Sequence, residues 1–462
     1  MKALLSRSRR LPYPAPRRPR AASLRSPVAL VLGFAVLIAM GTGALLLPVS
    51  ARAGHTDPLT ALFTATSAVC VTGLTVVDTA THWSPIGQAV ILILMEVGGL
   101  GFMIGATALT LVLRRRLSLR QRVMMREIGA SARLGDGGEL IAWTILFTLG
   151  CEAVGTLLLW TRFAPRYGPR YGLWLAIFHA VSAFTNGSFD LFRGHNLATF
   201  GADPVVLLTM ASLIIVGGLS FVVAQDLYQT RRWRRLSLDS RVVLLTTAVL
   251  LAGGAALLFL AERHNPASLG GRPLGQQALD AFFEAAAART CGFTTWDFAR
   301  SDPRGLFILL GLMFIGGAPG SMAGGIKITT VTVILAAVWS TARGRAEVTL
   351  LKRRLLPAEQ AQALAVTVLS VGLIVAVTLI IGLSEGAHPH APLLNLLFEV
   401  TSAFGIVGFS VGVTAHLSAL GKLLLIATMF IGRLGPVTVA TALMERPRGT
   451  PLRPPVESVR IG

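Results

Sequence analysis

The chain has 462 residues, of which 53% are hydrophobic and 14% are charged, whereas soluble domains carry about 25% charged residues. This composition excludes an ordinary soluble domain. The formal net charge of +20 suits a nucleic-acid partner, but no soluble segment is long enough to fold into a basic face, so we do not assign that function.

Apolar runs of roughly 20 residues, which is enough to cross a bilayer, recur along the chain. We identify eight runs, at about 27–48, 85–113, 139–160, 204–225, 242–261, 305–340, 361–384 and 417–445. Only helices and closed barrels satisfy the backbone in hydrocarbon, and uninterrupted runs of this length indicate helices. The sequence therefore predicts an all-α polytopic membrane protein with eight transmembrane helices.

The charges predict how these runs are oriented. Residues 1–26 are basic and rich in proline, which predicts a disordered tail. The run at 27–48 is longer than the roughly 7–15 residues of a signal-peptide core, so we expect a retained helix. Basic clusters lie at every second boundary between runs, at 2–25, 114–133, 231–241, 343–354 and 446–460. By the positive-inside rule, both termini are expected in the cytoplasm.

Four shorter apolar stretches lie between pairs of runs, on the outer side. They are ALFTATSAVCVTGLTV (61–76), AIFHAVSAFTNGSFDL (176–191), AFFEAAAARTCGFTTW (281–296) and LLFEVTSAFGIVGFSV (396–411). Each contains an early Phe and reaches a glycine about ten residues later, although the second copy is one residue shorter if Phe178 is its Phe. A marker follows each copy: GGLGF (98–102), GGLSF (217–221), GGAPG (316–320) and GRLGP (432–436).

These features predict four tandem helix–pore-loop–helix repeats. The repeats cover 27–113, 139–227, 241–340 and 360–445, and a cytoplasmic tail follows at 446–462. Short apolar helices are typical of re-entrant segments, and non-helical backbone at membrane depth survives only inside protein or beside water. The four short helices are therefore expected to be re-entrant pore helices around a pseudo-fourfold axis.

The glycines after the short helices predict a cation filter, in which carbonyl oxygens replace an ion's hydration shell. We call the predicted residues the filter segments: Val71, Thr72, Gly73 and Leu74; Thr185, Asn186, Gly187 and Ser188; Thr290, Cys291, Gly292 and Phe293; Ile406, Val407, Gly408 and Phe409. The glycines Gly73, Gly187, Gly292 and Gly408 are expected to hold K⁺. An alternative is that these glycines only allow close helix packing.

The third marker interrupts its own apolar run with a glycine-rich loop at 316–325. Each glycine costs a helix about 1 kcal/mol relative to alanine, and a proline about 3 kcal/mol, so we expect a flexible gate there. The predicted gate residues are Gly316, Gly317, Gly320, Gly324, Gly325 and Arg433. Arg433 is expected to cap loop carbonyls, or alternatively to pair with Glu96, and Lys327 to reach the cytoplasmic interface.

Other ionisable residues carry weaker expectations. Glu96 is the one carboxylate that we place inside a predicted run, and its role, functional or merely hydrogen-bonded, stays open. Arg289 is expected to brace the third filter segment. Asp78, Asp190 and Asp297 follow filter segments and either concentrate cations or are solvated. No catalytic motif and no metal-ligand spacing of cysteines appears, so the sequence predicts no enzyme.

The motifs LFTATSAVCVTGLTVVDT, GGLGF, FIGGAPGSMAGGIK and FIGRLGP resemble the Ktr/Trk/HKT superfamily of potassium transporters. The resemblance covers about residues 30–445 and is greatest to the KtrB-type subunit. It departs at Glu96, where Gln is common, and at Ala318 and Met322, where Ser and Thr are commoner.

The resemblance implies K⁺ uptake across a bacterial plasma membrane by a homodimer with one pore per chain. It implies Na⁺ dependence, as in many members, and no tightly bound cofactor. It also implies a cytoplasmic nucleotide-binding regulatory ring of the KtrA/TrkA type, besides contact with membrane lipids. The rival class is an ion-coupled secondary transporter of another monovalent cation, although such folds usually show two repeats rather than four.

Overall fold

The computed structural model describes residues 26–115, 137–192, 197–345, 347–351, 353–386 and 392–435. Apart from Ser26, the predicted tails at 1–26 and 446–462 lie outside the described residues. The last residues of the fourth predicted repeat, after Gly435, lie outside them as well.

Helices make up most of the described chain. They are α1 (Ser26–Leu46), α2 (Pro58–Cys70), α3 (Thr79–His82), α4 (Pro85–Arg115), α5 (Gly137–Tyr167), α6 (Pro169–Phe184), α7 (Pro204–Gly218), α8 (Phe221–Thr230), α9 (Leu238–Glu262), α10 (Leu274–Ala287), α11 (Pro303–Phe314), α12 (Ile328–Ala342), α13 (Pro357–Glu385), α14 (Leu393–Gly405) and α15 (Ala419–Leu434). A short antiparallel hairpin pairs β1 (Thr349–Leu350) with β2 (Arg353–Arg354). The described chain is therefore all-α apart from this hairpin.

Several of these helices can cross a membrane. Four are long and apolar enough, at Val28–Leu46, Ile141–Tyr167, Leu238–Glu262 and Pro357–Glu385. The pair α7 and α8 makes a fifth if it is one broken span, since the two helices are bent by 94°. The chain is thus an all-α, multi-pass membrane protein, and its described residues contain fewer uninterrupted spans than the eight predicted runs.

Breaks inside two of the runs account for part of this difference, and the runs predicted at 85–113 and 417–445 continue beyond the residues whose side chains the structure describes. The run predicted at 305–340 is split, because α11 ends at Phe314 and α12 begins only at Ile328. The run predicted as continuous at 204–225 is also broken, at Leu219 and Ser220. Ser220 adopts φ +69°, a conformation that ends a helix, and its hydroxyl accepts a hydrogen bond from the Val222 N–H at 3.4 Å.

The first glycine of three markers packs against the end of the short helix in its own repeat. A Cβ placed on Gly98 would lie 2.1 Å from the carbonyl oxygen of Val69. A Cβ placed on Gly217 would lie 1.9 Å from the carbonyl oxygen of Phe184, and one placed on Gly432 would lie 2.2 Å from that of Phe404. Close backbone approach, which only glycine permits, therefore explains these markers.

Alanine at these positions is expected to destabilise the protein. Because the added Cβ of Gly217→Ala would meet a backbone oxygen at 1.9 Å, the chain must shift, and overpacking of this kind costs about 1–3 kcal/mol. Gly218→Ala is the matched control, since no atom lies within 4 Å of its added Cβ. The measurement is the thermal unfolding midpoint of each purified variant in detergent. Equal midpoints for the two variants would contradict the packing role of Gly217.

Candidate functional site

The four filter segments lie against one another at the ends of α2, α6, α10 and α14. A Cβ placed on Gly73 would lie 2.1 Å from the Cβ of Ser188, and one on Gly408 would lie 2.2 Å from the Thr72 oxygen. One placed on Gly292 would lie 2.5 Å from the carbonyl carbon of Gly408. The structure thus brings the predicted filter residues of all four repeats together, in a buried setting.

Three of the short helices end in the same way, with a residue in the left-handed conformation. These residues are Val71, Asn186 and Ile406, with φ of 60°, 59° and 57°. The next N–H bonds back five residues in each case: Thr72 to the Ser67 oxygen at 2.7 Å, Gly187 to Ser182 at 2.7 Å and Val407 to Ser402 at 3.0 Å. This is a helix-terminating turn, and it is strained at the two β-branched residues. The turn directs the chain out of the helix.

In the second repeat, the residue equivalent to Gly73 is Ser188 rather than Gly187. Ser188 follows left-handed Asn186 by two positions, as Gly73 follows Val71. Its φ is +62°, compared with +84° for Gly73 and +89° for Gly408, whereas Gly187 has no positive φ. The register that the glycines predicted is therefore off by one residue in this repeat, and Phe178 is the equivalent Phe, ten residues before Ser188.

The Ser188 side chain connects three repeats. Its hydroxyl donates a hydrogen bond to the Val407 carbonyl oxygen at 2.8 Å and accepts one from the Gly292 N–H at 2.5 Å. A second bridge joins repeats two and three, where the Thr290 hydroxyl donates to Asn186 Oδ1 at 3.1 Å. These side chains hold the segments in register with one another.

Serines of the short helices support the segments from behind, a role that sequence reasoning missed. The Ser67 hydroxyl accepts a hydrogen bond from the Gly73 N–H at 2.9 Å, and Ser402 accepts one from the Gly408 N–H at 3.1 Å. The Ser182 hydroxyl instead donates to the Phe189 oxygen at 2.8 Å. The signal that could have found them is the Ser-Ala pair in three of the four stretches.

In the third and fourth short helices, the glutamate that follows a Phe braces the chain that leaves the filter segment. Glu284 Oε1 accepts hydrogen bonds from the Thr295 N–H at 2.7 Å and from the Thr294 hydroxyl at 3.0 Å. Glu399 Oε1 accepts one from the Val411 N–H at 3.0 Å. These carboxylates are therefore structural partners of buried backbone donors, which would otherwise be left unsatisfied.

The other ionisable residues near the segments differ from expectation in part. Arg289 is only 4% exposed, but it forms no hydrogen bond with another described residue, so the expected bracing is not seen there. Asp78 and Asp297 cap short helical turns by accepting from the Ala80 N–H at 2.8 Å and the Ala299 N–H at 3.0 Å. Asp190 is 7% exposed, which is not the solvated setting considered for it.

The glycine-rich loop packs between the filter segments and the second marker. Its Ala318 N–H donates to the Gly218 oxygen at 3.0 Å, and its Met322 N–H donates to the Gly217 oxygen at 3.2 Å. A Cβ placed on Gly324 would lie 2.4 Å from Ile406 Cδ1, next to the fourth filter segment. The break between α7 and α8 thus frees carbonyl groups that accept hydrogen bonds from the loop.

Arg433 holds this loop through its guanidinium group. One nitrogen donates to the Met322 carbonyl oxygen, and the other donates to the Gly98 oxygen at 3.0 Å. The loop contact is the first of the two partnerships considered for Arg433. Lys327 differs from expectation, because its ammonium group turns back and donates to the Ala323 oxygen at 2.6 Å instead of reaching the interface.

Glu96 has a partner that sequence reasoning missed. The carboxyl group of Glu152, midway along α5, faces that of Glu96. The expectation of a single carboxylate within the predicted runs is therefore wrong. An isolated Glu in the otherwise apolar stretch TLGCEAVGTLLL was the available signal.

The chain was compared with known proteins. A family model described as TrkH, cation transport protein, matches residues 30–450. The potassium/sodium uptake protein NtpJ of Enterococcus hirae is 34% identical over 441 residues, which are 95% of this chain and 97% of that protein. The Ktr system potassium uptake protein B of Bacillus subtilis is 37% identical over 415 residues, covering 89% and 91% of the two chains.

The fold is also similar to a solved structure. The potassium transporter TrkH from Vibrio parahaemolyticus matches with a TM-score of 0.71 at 19% identity, covering 92% of this chain and 87% of that one. This likeness supports the fold, and the sequence matches extend over nearly the whole chain. The chain therefore belongs to the TrkH family of cation transport proteins, in agreement with the Ktr/Trk resemblance of its motifs.

Proposed function

We propose that this protein takes up K⁺ across the plasma membrane through a carbonyl-lined filter. The observation that carries the proposal is the meeting of four non-helical segments, one from each repeat, at the ends of four short helices. Relatives named as potassium uptake proteins support K⁺ as the ion. NtpJ, named as a potassium/sodium uptake protein, supports Na⁺ as a further ion.

The chemistry of the filter follows from the backbone. Carbonyl oxygens that no longer belong to a helix can replace the water around a monovalent cation. The negative ends of the short-helix dipoles point in the same direction and stabilise positive charge. Gly73 and Gly408, at φ +84° and +89°, reach backbone directions that most side chains forbid. The filter residues are those of the four segments, with Ser188 in the place of a glycine.

The glycine-rich loop is the proposed gate of this pathway. It lies against the fourth filter segment and is held by hydrogen bonds from its backbone to α7 and from Arg433. These hydrogen bonds keep the loop in one position until a cytoplasmic partner disrupts them. The partner class is the nucleotide-binding ring of the KtrA/TrkA type, acting on a homodimer with both termini in the cytoplasm.

The alternative is an ion-coupled secondary transporter, and one observation favours it as the second candidate. Glu152 beside Glu96 raises the number of carboxylates within the membrane, and coupled carriers use such groups. Flux through purified protein in liposomes separates the two. Channel-like flux that saturates poorly supports the filter proposal, whereas obligate exchange or cotransport supports a carrier.

Growth of a potassium-uptake-deficient bacterium at low K⁺ tests the ion. We expect rescue by the wild-type chain expressed with its cytoplasmic partner. Gly73→Ser should discriminate less between K⁺ and Na⁺, because its Cβ would lie 2.1 Å from Ser188 and must displace a filter segment. Gly101→Ala is the control, since nothing lies within 4 Å of its added Cβ. Failure of rescue by expressed wild-type protein and partner would reject K⁺ uptake.

Ser188 is expected to set the geometry of the filter. Ser188→Ala keeps the Cβ but loses both hydrogen bonds to repeats three and four, each worth about 0.5–1.5 kcal/mol. K⁺ over Na⁺ discrimination, measured as a flux ratio in liposomes, should fall about 5- to 10-fold. Ser410→Ala, at a half-buried hydroxyl outside the filter segments, controls for general loss of stability. An unchanged K⁺ over Na⁺ flux ratio in Ser188→Ala would contradict the bridging role of Ser188.

Arg433 is expected to keep the gate closed. Arg433→Gln loses the two charge-assisted hydrogen bonds to Met322 and Gly98, each worth about 1.5–3 kcal/mol. K⁺ leak in the absence of the cytoplasmic partner should therefore rise about tenfold or more. A deletion inside 316–325 should also raise leak, and Arg433→Lys, which cannot span both carbonyls, should be intermediate. A leak no higher than that of wild type would show that this contact does not close the pathway.

A further inference from the structure

One face of α5 carries the buried residues of its central turns. Thr148, Glu152, Gly155 and Leu159 are buried at helical spacing, whereas Leu146, Leu149 and Val154 are exposed. In a membrane-spanning helix the exposed apolar side faces lipid. The polar residues of the middle of α5 therefore point into the protein, toward α4.

Two polar oxygens on this face have no donor among the described residues. Thr148 is 0% exposed and Glu152 5% exposed, and neither the Thr148 hydroxyl nor Glu152 Oε1 has a hydrogen-bond partner among the described residues. Both carboxyl oxygens of Glu96 are buried and equally lack a donor. Thr148 lies one turn from Glu152 on the same face of α5, since residues four apart are neighbours.

The two carboxyl groups face each other, and no described Lys, Arg or His forms an ion pair with either of them. Two adjacent carboxylates cannot both remain ionised away from water. An uncompensated charge at this depth is also costly. A proton on one group turns it into a donor to the other, which satisfies oxygens of both residues.

We infer that Glu96 and Glu152 form a proton-binding site between α4 and α5, in which one proton is shared by the two carboxyl groups.

Among the described residues, the ionisable side chains on the elements packed around this site provide no compensating cation. The nearby thiols are Cys151, which precedes Glu152 on α5, and Cys70, which ends α2. Both ring nitrogens of His179 on α6 already have partners, namely the Leu175 oxygen and the Leu191 N–H. Arg433 reaches α4 from α15 at the Gly98 carbonyl. Gly98 is two residues from Glu96, on the opposite side of the helix, because residues two apart do not share a face.

The position of Glu96 connects the site to the proposed ion pathway, so its effect on flux rests on the proposed function. The neighbouring residue Met95 lies against Gly187, where an added Cβ would be 2.3 Å from the Met95 sulfur. Gly99 lies against the gate loop, where its added Cβ would be 2.7 Å from the Met322 sulfur. Loss of the proton would leave two negative charges in contact and push α4 away from α5.

Infrared difference spectroscopy of purified protein tests the proton directly, without any transport measurement. A protonated carboxylic acid has a carbonyl stretch that a carboxylate lacks. We expect part of this band at neutral pH to be lost in Glu152→Gln and in Glu96→Gln, and to be unchanged in Glu359→Gln, whose side chain is exposed. Two separate variants keep the test valid if one of them does not fold.

Each outcome decides the inference. Loss of the band component in the two site variants, with no effect of added Na⁺ at constant pH, supports a shared proton. An unchanged band in a folded site variant overturns it. Replacement of the acid band by carboxylate absorption on adding Na⁺ also overturns it, since the occupant would then be a metal cation. Because the band is measured without K⁺ flux, failure of the proposed uptake activity would not alter any of these readings.

The flux measurement adds the connection to transport. Wild-type K⁺ flux in liposomes should change with pH as the shared proton is lost, and Glu152→Gln should flatten this dependence at least twofold. Glu359→Gln should keep the wild-type profile. Suppose that the infrared test supports the shared proton but that K⁺ flux through Glu152→Gln keeps the wild-type pH profile. The proton site then has a structural role only, and its link to the pathway is overturned.

Discussion

The central constraint on this protein is that backbone groups leaving a helix inside a membrane must find partners other than water. The three left-handed helix ends, at Val71, Asn186 and Ile406, create such groups. Serines of the short helices take up the Gly73 and Gly408 N–H groups, and Glu284 and Glu399 take up those that follow. The carbonyl oxygens remain, and these are the groups that the proposed cation filter requires.

The same constraint shapes the glycine-rich loop and its surroundings. Where α7 breaks, the carbonyls of Gly217 and Gly218 become available, and the glycine-rich loop supplies the donors. Where the loop has free carbonyls of its own, Arg433 and Lys327 supply donors at Met322 and Ala323. The carbonyl groups freed in the two broken segments are thus paired with donors from the loop and from the two basic residues. A change in any one of these elements would leave a buried polar group unpaired.

Much of the arrangement could be predicted from the sequence, because repeats and hydropathy leave strong signals. The positions of the short helices, the meeting of the filter segments and the loop between α11 and α12 all agree with patterns in the chain. The register of the second repeat could not be read from its glycine, because a serine held by Val407 and Gly292 adopts the same left-handed conformation. Glu152 was missed because averaging over an apolar run hides one carboxylate, and its partner is on another helix.

The presence of Ser188 has a consequence for how such a protein can diverge. An assembly of four identical subunits repeats every substitution four times around its axis, so it cannot alter one filter segment alone. Here the four filter segments are encoded separately, and the second already has a hydroxyl, on Ser188, where Gly73 and Gly408 have only hydrogen. In the proposed filter, ion preference can therefore change through one segment at a time.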